Sequence, residues 1–129
     1  MSRERDRLGR PVDVGSPEAF PGVAERAHID AQTAWVEALS YLERELPFHA
    51  HETFELRWRC CPDDERDLWK ALARWAAALT HLERGNPEGA SSIARETLST
   101  LAGLIPAPLT REQVDGVLAS LVLLSKSAR

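Results

Sequence analysis

Leu68-Trp69-Lys70-Ala71-Leu72-Ala73-Arg74-Trp75-Ala76-Ala77-Ala78-Leu79-Thr80-His81-Leu82 sets the architecture of this chain. Leu72, Trp75 and Leu79 recur at helical spacing, and Trp69, Ala73 and Ala76 add apolar surface facing away from that stripe. A helix apolar on most of its circumference is central and covered on several sides. Asp63 or Asp64 caps its start and Gly85 stops it. Arg74 and His81 are the polar exceptions on the rod.

Four more helices are expected around it. The first covers about 23–44, with Ala31, Trp35, Ala38, Leu39 and Leu42 as its buried stripe. The second starts near Pro47, a residue suited to a first helical position, and ends before Pro62. Asn86 caps the fourth, with Pro87 at its first position and a stripe from Ala90 to Leu101. A stiff Ile105-Pro106-Ala107-Pro108 linker follows. Thr110 and Gln113 form a capping box on the fifth, whose face is Val114, Val117, Leu118, Leu121 and Leu124. No strand pattern is expected. Short turns after Arg44, Cys61 and Gly85 predict an all-α, up-and-down antiparallel bundle of five helices.

Residues 1–22 read as an extended Pro/Gly-rich arm, and 23–129 as one bundle domain. The arm is either a solvated tail or a strap laid over the domain through Val12, Val14 and Phe20. Arg3, Arg5, Arg7 and Arg10 are interleaved with Glu4 and Asp6, which cuts the basic character.

At 129 residues the chain is long enough for a sizeable core without disulfides or metal. Lys+Arg is 16 against Asp+Glu 20, net −4, which argues against a nucleic-acid partner. No apolar run of about 18 residues is present, so no membrane span is expected. The N-terminus lacks the apolar core of a secretory signal. Cys60 and Cys61 are adjacent and pair poorly with each other. A cytoplasmic location is the expectation. A homo-oligomer stays open.

The second helix carries the candidate chemistry. On a helical wheel Phe48, His51, Glu55 and Trp58 share one arc, read as the packed side. Ala50, Thr53 and Arg57 then point to solvent. A His and a carboxylate at i, i+4 touch each other or share a third partner. Three readings stay open. A divalent metal such as zinc or manganese would take His51 and Glu55, with His81 as the best third ligand. A buried polar network would join His51 and Glu55 to Arg74 or Arg59. A small-molecule pocket would use Trp58 and Trp75 as walls, with Glu52 at its margin. His51-Glu52 looks like the start of a zinc-protease helix, but Glu55 stands where the second His is required. Cys60-Cys61 sits at a helix C-terminus, which disfavours a thiolate, and Ser91 and Ser92 have no visible base.

His51-Glu52-Thr53-Phe54-Glu55-Leu56-Arg57-Trp58 resembles the signature of domain of unknown function family 309: His, three residues, Glu, two residues, Trp. Pro62-Asp63-Asp64-Glu65-Arg66 resembles the family's middle segment. Ala76 to Asn86, an alanine-rich turn, a His and then Arg-Gly-Asn, is similar to its second signature. Arg5 to Pro11 resembles N-termini of an actinobacterial-looking branch. The resemblance covers about 47–101. It implies a small all-helical prokaryotic protein of unassigned function, with His51, Glu55 and Trp58 as signature residues. It also implies a metal site and a hydrolase-like role, which have been attached to the signature. Lys70, Ala71 and Arg74 stand where many members have Gln, Gly and Gln, and the two cations oppose a metal there. A non-catalytic structural or protein-interaction module is the alternative.

Overall fold

The computed structural model describes residues 4–128. Among them run five α-helices: α1 (Ala31–Glu43), α2 (Pro47–Cys60), α3 (Arg66–Glu83), α4 (Pro87–Leu101) and α5 (Arg111–Leu124). A 3-10 turn, Asp63–Glu65, leads into α3. The fold is an all-α bundle. α3 is its hub, packed by α2, α4 and α5, and α1 packs on α2. No described helix is long and apolar enough to cross a membrane.

The helix ends follow from local chemistry. Asn86 Oδ1 accepts the Gly89 N–H at 3.0 Å, with Pro87 at the first position of α4. Thr110 Oγ1 accepts from Gln113 N at 3.1 Å, and Gln113 Oε1 accepts from Thr110 N at 2.8 Å, a complete capping box. Gly85 takes φ +79°, the left-handed backbone that ends α3. In the core, the Phe54 ring lies 6.4, 6.2 and 6.3 Å from the rings of Trp35, Trp69 and Trp75. One aromatic of α2 thereby joins α1 and α3.

Three expectations need correction. α1 begins at Ala31, not near residue 23. Asp30 accepts from Thr33 N at 2.8 Å and caps it there. The preceding Ile29 carbonyl accepts from Arg57 and Cys60, so its chain is held outside the helix. Second, the arm contains two short antiparallel strands, β1 (Glu4–Arg5) and β2 (Pro11–Val12). Asp6 Oδ1 accepts from the N–H groups of Leu8 and Arg10, both at 2.9 Å, and folds the turn between them. Such strands are too short for any periodicity to register. Leu8 of the hairpin is buried and its carbonyl accepts from Arg84 at the end of α3, while Val14 is exposed. Arg3 lies outside the described residues.

Third, the packed side of α2 is the one that carries Ala50, Thr53 and Arg57, not the one that carries His51 and Glu55. Ala50 and Thr53 are 0% exposed and Arg57 is 7% exposed. α2 lies between α1 and α3, and the hairpin crosses its first turn, so it is covered on three sides. Small residues suit such crowding. Thr53 Oγ1 donates to the His49 carbonyl at 2.9 Å, so its polarity is satisfied within the helix.

Candidate functional site

Phe48, His51, Glu55 and Trp58 occupy the remaining side of α2, which is half-open. His51, Glu55 and Trp58 form one wall of a groove of about 280 Å³. α3 supplies its floor and far wall through Ala73, Ala77, Lys70 and Arg74, and α4 closes it with Ile93. The small Ala73 and Ala77 leave the space open. Lys70 and Arg74 also border a neighbouring hollow of about 260 Å³ toward Glu96 and Thr97. His51 and Ala77 continue at the other end into a recess of about 150 Å³ holding His81 and Arg84.

His51 Nδ1 stands 3.8 Å from Glu55 Oε1, with the side chains 25% and 38% exposed. That is too long for a hydrogen bond, and Nδ1 has no other partner. Burial pushes the His51 pKa below its ordinary value. The carboxylates of Glu55 and Glu52 pull it back, and the Arg84 cation adds to the depression. The imidazole is therefore mostly neutral at pH 7.

The other expected residues scatter. Arg74 Nη2 pairs with Glu96 Oε2 at 2.9 Å rather than with Glu55. Both partners are exposed, so this contact contributes little to stability. Trp75 Nε1 donates to Ser120 Oγ at 2.9 Å toward α5, and its ring borders a different groove, with Trp35 and Leu39. Trp58 has the Arg66 guanidinium 5.4 Å over its ring. His81 Nδ1 lies 3.1 Å from Asn86 Nδ2 at the α3–α4 turn. Glu52 borders a separate cavity beneath the arm.

The buried polar network lies elsewhere, around Arg57, the residue expected in solvent, with Glu65 and Trp69 as its partners. Arg57 Nη1 donates to the Ile29 carbonyl at 3.1 Å, and Nη2 to Glu65 Oε1 at 2.9 Å. Trp69 Nε1 donates to the same carboxylate oxygen at 2.8 Å, and the guanidinium lies 5.7 Å over the Trp69 ring. Burial works against the Arg57 charge, but the Glu65 carboxylate outweighs it and raises the pKa. The signal available in sequence was the Glu65–Trp69 i, i+4 pair beside the turn that brings Arg57 back.

A divalent metal is not well served here. His51 and Glu55 offer two donors, and His81 does not join them as a third. Among the described residues, no three His, Cys, Asp or Glu gather to hold an ion. Lys70 and Arg74 border the same space. Nucleophiles are also muted. Thr80, Thr97 and Thr100, in the adjoining hollows, all donate to carbonyls four residues back. Burial raises the Cys61 thiol pKa.

No curated protein and no solved structure matches the chain. Residues 35–93, from Trp35 on α1 to Ile93 on α4, contain every wall of the groove, and they match the family model described as Domain of unknown function (DUF309).

Proposed function

We propose that the protein is a non-catalytic binding module. The α2–α3–α4 groove takes a ligand with opposite charges flanking a ring-sized apolar body. The observation that carries this is His51 Nδ1, buried and without a partner in the wall of an open groove. A polar atom so placed is costly unless something completes it. Glu55 on the α2 wall faces Lys70 and Arg74 on the α3 wall. Trp58 offers a ring for stacking. Glu55 would take the ligand's cationic end and Lys70 its anionic end.

A divalent ion on His51 and Glu55 is the competing reading. It draws on the facing donors 3.8 Å apart, and what weighs against it is the missing third donor and the neighbouring cations.

Phenylalanine is a suitable probe, with phenylacetate and phenethylamine as single-charge comparisons. About a dozen non-hydrogen atoms at about 0.3 kcal/mol each give low-millimolar dissociation. In a heteronuclear NMR titration, phenylalanine should shift the Trp58 indole and His51 ring signals. Glu55→Gln and Lys70→Ala should each weaken it. Unmoved Trp58 and His51 signals with all three compounds would overturn the proposal.

A further inference from the structure

A cavity larger than the groove lies elsewhere among the described residues. It lies beneath the arm, about 600 Å³ in volume, between the hairpin, the return limb at 19–23 and the first half of α2. The arm is tied down on both sides of it. Arg84 Nε and Nη2 donate to the Leu8 carbonyl at 2.9 and 2.7 Å, and Arg7 Nη2 donates to the Glu45 carbonyl at 3.1 Å. Gly9, at φ +79°, packs against the Phe48 ring so closely that a Cβ would collide with it. On the return limb, Phe20 N donates to the Arg5 carbonyl at 2.8 Å, and His49 Nε2 donates to the Pro21 carbonyl at 2.7 Å. Between these ties the arm arches over α2.

The lining asks for a cation. Glu4 and Glu52 border the cavity, and neither forms an ion pair with a described residue. Asp6 is already satisfied by Arg10 Nε at 2.7 Å and by two backbone N–H groups. Phe20 and Phe48 supply aromatic walls. The chain's own Arg5 guanidinium lies 5.6 Å over the Phe48 ring, so this wall already holds a cation. His49, 3% exposed, also lines the cavity. Its Nε2–H is taken by the Pro21 carbonyl, which leaves Nδ1 as an acceptor with no donor. Two carboxylates against one guanidinium leave room for one more positive charge.

We propose that this cavity is a second binding site, for a small organic cation: a primary amine or guanidinium on an apolar stem. Glu4 and Glu52 hold the charge, and Phe20 and Phe48 hold the stem. It shares no lining residue with the α2–α3–α4 groove.

Phenethylamine is the probe, phenethyl alcohol its neutral counterpart, and an NMR titration followed at His49, Phe20 and Gly22 the readout. The amine should bind about tenfold tighter than the alcohol, the ratio that about 1.4 kcal/mol of charge interaction supplies. It should shift the His49 ring and the Phe20 and Gly22 amides, and weaken with added salt. Glu52→Gln should remove most of the preference and the double variant Glu4→Gln/Glu52→Gln all of it. Glu55→Gln, on the groove, should leave the amine-induced shifts of His49, Phe20 and Gly22 unchanged. Equal binding of amine and alcohol, unchanged binding in the double variant with unaltered melting temperature, or unmoved His49 signals would each overturn the proposal. Because the groove is read at Trp58 and His51 and the arm cavity at His49 and Phe20, failure of one site leaves the other standing.

Discussion

α2 carries two polar sets, and they are finished differently. On the core side, Arg57, Glu65 and Trp69 share hydrogen bonds of 2.8–2.9 Å around one carboxylate oxygen. On the groove side, His51 and Glu55 stand 3.8 Å apart with Nδ1 unpartnered. A buried charge persists only when its partners are supplied by the fold. A half-exposed pair can be left open, and what completes it can come from outside the chain. The contrast separates architecture from recognition on a single helix.

The largest effect should come from the closed side. Glu65→Ala strands the Arg57 guanidinium in the core and should destabilise by about 3–5 kcal/mol in chemical denaturation. A loss near that of an ordinary surface change, about 0.5 kcal/mol, would contradict the network. Trp69→Phe keeps the ring and removes one N–H donor, so its cost should be smaller, about 1 kcal/mol.

How far the sequence foretold this division differs between the two faces. The hub helix, the Asn86 and Thr110 caps and the Gly85 stop were legible because each rests on residues adjacent in sequence. The groove triad His51, Glu55 and Trp58 was legible as a set, since i, i+4 and i+7 positions share a face whatever the tertiary setting. Its burial was not. A wheel ranks faces by apolarity, and α2 packs Ala50, Thr53 and the stem of Arg57 inward because α1, α3 and the arm surround it. Arg57 also depends on the Ile29 carbonyl, 28 residues away, which no local pattern reveals. Leu8 and the hairpin escaped for the same reason.

Acid should report on the open side. Burial lowers the His51 pKa below 6.5, so the unfolded chain takes up this proton first as pH falls. The His51 contribution is fully present above about 6.5 and is lost as pH falls from there toward the folded pKa. Folded-state NMR titration of the His51 ring should give a midpoint below 6.5. Glu55→Gln should lower it further, because the carboxylate pulls it up. A midpoint above 6.5 would contradict the burial assignment.

Metal should do less still. A site filled at 100 times its dissociation constant would add about 2.7 kcal/mol. Added zinc or manganese should raise the melting temperature no more in the native protein than in His51→Ala. A shift abolished by His51→Ala would restore the metal reading.

The most direct test is the unfolding free energy of Glu55→Ala. An open recognition face predicts a change within about 0.5 kcal/mol of the native protein. A loss of about 3 kcal/mol or more, the cost of breaking a buried pair, would contradict it and return His51 and Glu55 to the architecture of the bundle.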